Sequence, residues 1–281
     1  MLEFLAYSFG QRALLAGLLV ALTCSSLGLF LVLRRLSLIS DGLGHVAFGG
    51  IAFGFWAGIY PLYAAAAAVI AGAFGIHALR KARIHSDTAI AILFSVGLAA
   101  GVVLIGLSHG AQADLLSYLF GTLLGVDWTD VALTVVLGLA VLAALALLFK
   151  EWFFITFDSE SAQAAGLPVE RLELLFTLLT GLAVVVSAKV VGILLVTSLM
   201  VVPTSAAILL RLDFKRTLLI SNILAVAATL VGLELSFAYN LAPGGSIVLV
   251  SAGFFIVCLA YNQWRASPAS AVRFAGWSHK D

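Results

Sequence analysis

The stretch Ser37-Leu-Ile-Ser-Asp-Gly-Leu-Gly-His-Val-Ala-Phe-Gly-Gly50 places two ionisable residues at the start of a long apolar segment. Asp41 and His45 are four residues apart, so in a helix their side chains lie on one face, about one turn from each other. Ionisable side chains are costly inside a bilayer and usually have a functional role there. If the segment crosses a membrane, this pair is the first candidate for a functional site.

The composition indicates that the whole chain is embedded in a membrane. Of the 281 residues, 63% are hydrophobic and only 10% are charged, whereas soluble proteins are typically about 25% charged. The net charge of +1 provides no concentrated basic face for nucleic acid. Cys24 and Cys258 lie in apolar segments, where cysteine commonly packs as a small hydrophobic residue. The N-terminus lacks the pattern of a cleavable signal peptide, and we expect none.

We predict an all-α polytopic membrane protein with eight to nine transmembrane helices. Each apolar segment has about the 20 residues that cross the hydrocarbon core of a bilayer. Together they form one domain over 1–264, followed by a polar cytoplasmic tail at 265–281. Pro203 should kink or break the seventh span. The predicted spans are 13–33, a second ending near residue 60, 62–79, 88–107, 130–149, 171–187, 190–210, 217–236 and 247–263.

Three polar regions interrupt these spans. Residues 1–12 predict a short amphipathic segment in the membrane interface. Residues 108–129 are too polar for a confident span and favour a re-entrant or interfacial helix that is buried in protein. Residues 157–169 predict one short helix that begins near Ser159 and ends at Gly166-Leu-Pro168. Lys189 is interpreted as an isolated charge that reaches the interface.

Basic residues predict the orientation of the chain. If the nine spans alternate in direction, nearly all of the basic residues fall on one side of the membrane, which by the positive-inside rule is the cytoplasm. The N-terminus is then outside, and the C-terminus and the 157–169 helix are cytoplasmic. The residues on this side are Arg34, Arg35, Arg80, Lys81, Arg83, Lys150, Arg171, Arg211, Lys215, Arg216, Arg265 and Arg273.

A carboxylate and an imidazole one turn apart are suited to a divalent metal, because both are ordinary ligands of zinc and manganese. Two ligands do not complete the usual shell of four, so others must come from another helix, a symmetry-related copy or water. Glu234, Asp114 and His109 are candidates without local support. A purely structural alternative remains open, in which Ser40 or Asp41 caps the helix and His45 packs against a neighbour.

The other histidines and the missing motifs narrow the function. His77 and His85 flank a basic cluster and are predicted to be solvated. The chain has no G-x-x-x-x-G-K-[ST] motif, so any ATP hydrolysis requires a separate subunit. No serine or cysteine nucleophile stands beside a base, which disfavours an intramembrane hydrolase. An ion-coupled secondary transporter or channel, in which Asp41 and His45 relay protons, stays open.

Six segments in order over nearly the whole chain resemble the zinc/manganese class of ABC importer permeases, and within it the zinc permeases most closely. Two positions depart from that class: Thr122 stands where relatives often have an acidic residue, and Glu234 at a position that is usually uncharged. The six segments are SLISDGLGHVAFGGIAFG (37–54), HSDTAIAILFSVGLAAGVVL (85–104), DLLSYLFGTLLGV (114–126), FDSESAQAAGLPV (157–169), VVGILLVTSLMVVPTSAA (190–207) and APGGSIVLV (242–250).

The resemblance implies the fold of the vitamin B12-type ABC importers. Two permease copies would enclose a central path, with ATPase subunits on the cytoplasmic side and a periplasmic metal-binding protein on the other. By the same resemblance, Asp41 and His45 line the metal path. The helix near 157–169 corresponds to the coupling helix, and its predicted ATPase contacts are Asp158, Glu160, Ala162, Ala165 and Gly166.

From the residues and the resemblance together, we expect an inner-membrane permease that imports a divalent metal by alternating access. Zinc is the first expectation and manganese the second, and the chain itself is neither an enzyme nor the holder of a permanent cofactor. Its expected partners are the ATPase, the binding protein, a second permease copy and membrane lipid, but no nucleic acid. Iron(II), a siderophore or a vitamin remain alternative cargoes.

Overall fold

The computed structural model describes residues 7–108, 112–122 and 125–266, which form twelve α-helices and no β-strand within these ranges. The helices are α1 (Ser8–Leu33), α2 (Leu38–Ala57), α3 (Pro61–Lys81), α4 (Ser86–Leu107), α5 (Gln112–Phe120), α6 (Trp128–Leu147), α7 (Phe149–Phe157), α8 (Ser159–Ala164), α9 (Val169–Ser187), α10 (Val196–Ile208), α11 (Phe214–Tyr239) and α12 (Pro243–Ala266).

Seven helices of the described ranges are long and apolar enough to cross a membrane: α1, α2, α3, α4, α6, α11 and α12. This confirms a polytopic helical protein. Two further predicted spans correspond to α9, which carries Glu170, Arg171 and Glu173 near its start, and to α10, which has only 13 residues. The number of spans, eight or nine, stays a prediction. The predicted tail lies outside the described residues, except that α12 continues to Ala266.

The helix ends are set by residues that leave the helical conformation. Gly58 ends α2 in the left-handed region with φ of 68°, and Pro61 then starts α3 at a position where a missing N–H costs nothing. Three arginines adopt the same left-handed conformation after α1, α3 and α10: Arg35, Arg83 and Arg211. These turns place the basic residues of three loops directly beyond helix ends.

Helix α2 lies at the centre of the bundle, between α3, α4, α9 and α10. Its small residues let neighbouring backbones come close. A Cβ atom on Gly97 of α4 would lie 2.7 Å from the carbonyl oxygen of His45, and one on Gly50 would lie 2.7 Å from the Cα atom of Ala65 in α3. Most of α2 is therefore buried within the chain, whereas α4 exposes most of its surface.

Two boundaries differ from the sequence prediction. Helix α1 begins at Ser8, so residues 8–12 belong to the first long helix and not to a separate interfacial segment. The predicted span 190–210 starts later, because residues 188–195 form irregular turns and only Val196–Ile208 is helical. Pro203 does not break α10, which continues on both sides of it.

Residues 188–195 are irregular because their backbone bonds to another segment. The Thr122 amide donates to the Lys189 carbonyl at 2.9 Å, and the Ile193 amide donates to the Tyr118 carbonyl at 3.0 Å. Gly244 at the start of α12 packs closely against the end of α5, since a Cβ atom there would lie 2.8 Å from the Phe120 carbonyl oxygen. The end of α5, the segment 188–195 and the start of α12 are thus locked together through their backbones.

Lys189 is not the isolated charge that the sequence suggested. Its Nζ atom lies 3.4 Å from a carboxylate oxygen of Asp130, which is only 2% exposed, and donates to the Gly125 carbonyl at 3.2 Å. The Tyr60 hydroxyl also donates to Asp130. The charge is buried because a buried carboxylate of α6 is its partner, and the pair ties α6 to the loop that follows α9.

The opposite end of the bundle, which we call the basic end, carries the loops after α1 and α3 together with α7 and α8. An aromatic cluster holds α7 there: Phe149 and Phe153 both contact Phe214 of α11. His77 of α3 is not simply solvated, because its Nε2 atom lies 3.3 Å from a Glu170 carboxylate oxygen of α9.

Candidate metal path

Asp41 and His45 lie in the first two turns of α2, close to the basic end. The helix begins at Leu38, so Asp41 is its fourth residue and lies beyond the capping position. Ser37, the residue before the helix, makes no side-chain cap bond, and the Ser40 hydroxyl donates to the Ser37 carbonyl at 2.8 Å. The capping alternative for Asp41 therefore has no support in the geometry.

Within the described ranges, the polar atoms of the pair have few partners in the chain. The Nδ1 atom of His45 is buried and forms no hydrogen bond. Asp41, which is partly exposed, forms no hydrogen bond or salt bridge with the described residues. A buried polar atom without a partner carries a desolvation cost, which is expected where the atom serves a ligand.

Neighbouring elements shape the space around the pair. The imidazole of His45 lies against the ring of Phe94 in α4, with centroids 3.9 Å apart. A Cβ atom on Gly42 would lie 2.8 Å from a methyl carbon of Ile90, and one on Gly44 would lie 3.1 Å from the Ile193 carbonyl oxygen. Gly42 and Gly44, which lie beside the pair on α2, thus let α4 and the segment 188–195 come close to this helix.

The chain does not supply a third ligand from its described residues, where no group of three or more His, Cys, Asp or Glu side chains comes together. Glu234 lies near the end of α11, where it is partly exposed. The backbone of Asp114 belongs to α5, and His109 lies outside the described residues. Among the described residues, the pair therefore offers two candidate ligands and is joined by no third.

The predicted coupling segment contains the short helix α8, which is followed by a tight turn at Gly166. The Asp158 carboxylate accepts a hydrogen bond from the Ser161 amide at 2.9 Å. Hydrogen bonds from Ser161 hold the pKa of Asp158 below its ordinary value. Gly166 has φ of 89°, and the Leu167 amide donates to the Ala162 carbonyl at 3.1 Å. Of the five predicted contact residues, Ala162 is buried and the other four are exposed.

Two polar groups of structural weight were missed by the sequence reasoning. Asp130 is the buried partner of Lys189, and its only sequence signal is a pair of acidic residues, Asp127 and Asp130, at the start of an apolar helix. Glu173 accepts from both Arg34 and Arg80 at the basic end. Its sequence signal is a carboxylate one turn inside a helix that is mostly apolar after its first turn, which predicts a buried partner.

Residues 6–262 match the family model described as the ABC 3 transport family. The chain belongs to the ABC 3 transport family. This confirms the predicted class of ABC permease, and with it the prediction that the chain is a transport subunit and not an enzyme. The family match favours an ABC permease over an ion-coupled secondary transporter.

Named relatives of this ABC 3 chain extend over nearly its whole length. It is 33% identical over 256 residues to the manganese transport system membrane protein MntC of Listeria monocytogenes, covering 91% of both chains. It is 32% identical over 269 residues to a probable iron transport system membrane protein of Haemophilus influenzae, covering 94% of this chain and 98% of that one.

A solved structure has the same fold. PsaBC from Streptococcus pneumoniae in complex with Fab superposes with a TM-score of 0.82 at 32% identity, covering 91% of this chain and 94% of that chain. This confirms the fold of an ABC permease, whereas the more specific likeness to the vitamin B12-type importers stays a prediction. The zinc permeases, to which the sequence motifs looked most similar, are not singled out by these matches.

Proposed function

We propose that this chain is the permease subunit of an ATP-driven importer of a divalent transition metal, and that Asp41 and His45 contact the metal as it crosses. The observation that carries the proposal is the buried Nδ1 atom of His45, which forms no hydrogen bond, one turn from a carboxylate that forms no hydrogen bond or salt bridge with the described residues, in an ABC 3 chain. A packed structural histidine would be expected to satisfy its buried nitrogen.

The preferred cargo is manganese, with iron(II) and zinc as alternatives. A carboxylate and an imidazole accept all three ions, so the ligand types do not choose between them. Relatives at 32–33% identity are named for manganese or probable iron transport. These names move our preference from zinc, the first expectation from the sequence, to manganese.

A second copy of the chain would complete the site. With two ligands per chain, a two-fold symmetric pair would present two carboxylates and two imidazoles to one ion, which is the usual ligand number for zinc and leaves room for water on manganese. An incomplete shell is also suited to transport, because an ion that passes through must leave as readily as it enters.

We place the basic end in the cytoplasm of a cell whose inner membrane holds the protein. The positive-inside rule supports this orientation, and α8 would then face the ATPase through Asp158, Glu160, Ala165 and Gly166. An extracytoplasmic metal-binding protein would deliver the ion to the opposite end. The pair on α2 would lie near the cytoplasmic exit of the path.

The test is metal uptake into proteoliposomes that hold the permease with its ATPase and binding protein. We expect Asp41→Ala and His45→Ala to assemble and hydrolyse ATP but to lose most uptake of manganese, with zinc and iron(II) measured in parallel. The matched controls are Asp87→Ala and His85→Ala, which remove an exposed carboxylate and an exposed imidazole at the start of α4.

The controls should transport at the wild-type rate. Normal transport by both α2 variants would refute the site assignment, whereas failure of the wild type to move any of the three ions would refute the cargo class. The ion with the highest uptake at equal concentration identifies the substrate.

A further inference from the structure

Glu173 at the basic end joins three helices through one carboxylate. Its Oε1 atom accepts from Arg34, which follows α1, and its Oε2 atom accepts from Arg80 in the last turn of α3 at 2.7 Å. The three side chains are 18%, 9% and 33% exposed, respectively. Charge-assisted bonds from one partly buried carboxylate to two guanidinium groups are directional and strong.

Glu173 also lies near the start of α9, the helix that directly follows α8. The corner at Gly166 turns the chain from α8 into α9, the two helices are in contact, and Ala162 of α8 is completely buried. Helix α7, which directly precedes α8, is tied to the first turn of α9, because the Trp152 indole donates to the Leu172 carbonyl at 3.3 Å. We therefore expect a displacement of α8 to move the first turns of α9, and Glu173 with them.

Both partners of Glu173 lead to α2. Three residues separate Arg34 from Leu38, the first residue of α2. Arg80 lies in the last turn of α3, whose residues pack along α2: a Cβ atom on Gly72 would lie 3.0 Å from a methyl carbon of Val46. One carboxylate thus connects the segment beside the predicted ATPase contact to two elements next to the helix of Asp41 and His45, the loop that precedes α2 and helix α3.

We propose that Glu173 is a positioning residue that transmits the movement of α8 to α2 through Arg34 and Arg80, so that ATP hydrolysis in the partner changes the metal path. This inference rests on the proposed function. Because α8 and the end of α3 are joined through Glu173, they move as one body when the ATPase closes.

The first experiment measures metal ions imported per ATP hydrolysed in the reconstituted complex. Arg80→Gln removes the α3 connection and leaves Arg34 paired with Glu173. We expect import per ATP to fall by about tenfold, within the range typical of coupling between sites, while ATP hydrolysis continues. Arg80→Lys keeps the charge and should restore at least half of the wild-type ratio.

The matched control is His77→Gln, which removes the contact between His77 of α3 and Glu170 of α9. Its partner Glu170 is 67% exposed, and the wild-type ratio should be unchanged. Equal ratios for Arg80→Gln, Glu173→Gln and the wild type would overturn the proposal. A loss in His77→Gln as large as in Arg80→Gln would also overturn it, because the coupling of import to ATP hydrolysis would then not depend on Glu173 in particular.

A distance measurement tests the joint whatever the cargo is. Spin labels are placed at Gln163→Cys on α8 and Lys81→Cys on α3, in a Cys258→Ser background; Cys24 is completely buried. In the wild-type joint, ATP binding should leave the distance between the labels unchanged, and in Arg80→Gln it should change or broaden the distance. A wild type that transports no metal but shows this rigid response would refute the proposed cargo and keep the joint. A wild-type distance that changes as much as in the variant would overturn the joint.

Discussion

The ion pair between Lys189 and Asp130 gives the sharpest stability prediction. Lys189→Met keeps most of the apolar stem but removes the ammonium group that lies 3.4 Å from the buried carboxylate. Removing one partner of a buried pair typically costs about 3–5 kcal/mol. Asp130 keeps two donors, the Tyr60 hydroxyl and the Asp127 amide, so we expect a loss below that range, about 2–3 kcal/mol.

The assay is thermal unfolding of the purified protein in detergent. For a chain of this size, about 2–3 kcal/mol corresponds to a decrease in Tm of about 5–10 °C. The double variant Lys189→Met/Asp130→Asn removes the unpaired charge and keeps an acceptor for Tyr60, and it should recover more than half of the loss.

Arg216→Met is the matched control. It breaks the pair with Asp213, in which the two side chains are 74% and 60% exposed, and its Tm should stay within about 2 °C of the wild type because exposed pairs contribute little. A Lys189→Met protein as stable as this control would refute the reasoning. A double variant no more stable than the single one would do so as well.

Two further predictions concern the close backbone contact at Gly244 and the predicted coupling segment at 157–169. Gly244→Ala should lose about 1–3 kcal/mol of stability, because the new Cβ atom overpacks against neighbouring carbonyls. In the same melting assay, the adjacent Gly245→Ala should be neutral or slightly stabilising, since nothing lies within 4 Å of its new Cβ atom. Equal Tm values for the two variants would contradict the close contact. Asp158→Ala should weaken ATPase binding severalfold and Asp158→Asn much less, because only the latter keeps an acceptor for the Ser161 amide. The lowered pKa of Asp158 means that the charged cap of the wild type is present above the ordinary pKa and is lost only as the pH falls through the lower value in the folded protein. The advantage of the wild type over Asp158→Ala should therefore persist from about pH 5 to 8; an advantage that vanished at pH 5 would refute this.

The helices and the candidate pair could be predicted from local pattern. Long apolar segments have few alternatives to the helix in a membrane, because lipid offers no hydrogen bonds to the backbone. The spacing of Asp41 and His45 places them on one face of any helix that contains them, and the glycines beside them predict close neighbours. The short turn that ends at Gly166-Leu-Pro168 has a similarly local cause, since its cap and its left-handed corner involve residues that are adjacent in sequence.

Only the tertiary structure decided which charges are paired. Lys189 looked isolated and His77 looked solvated because their partners, Asp130 and Glu170, lie 59 and 93 residues away in the chain. The irregular segment 188–195 was taken for part of a span because its composition is apolar, and its conformation is fixed by hydrogen bonds to the end of α5. Hydropathy and local spacing follow from the sequence by itself, whereas the pairing of polar groups depends on which distant backbones come within hydrogen-bond reach.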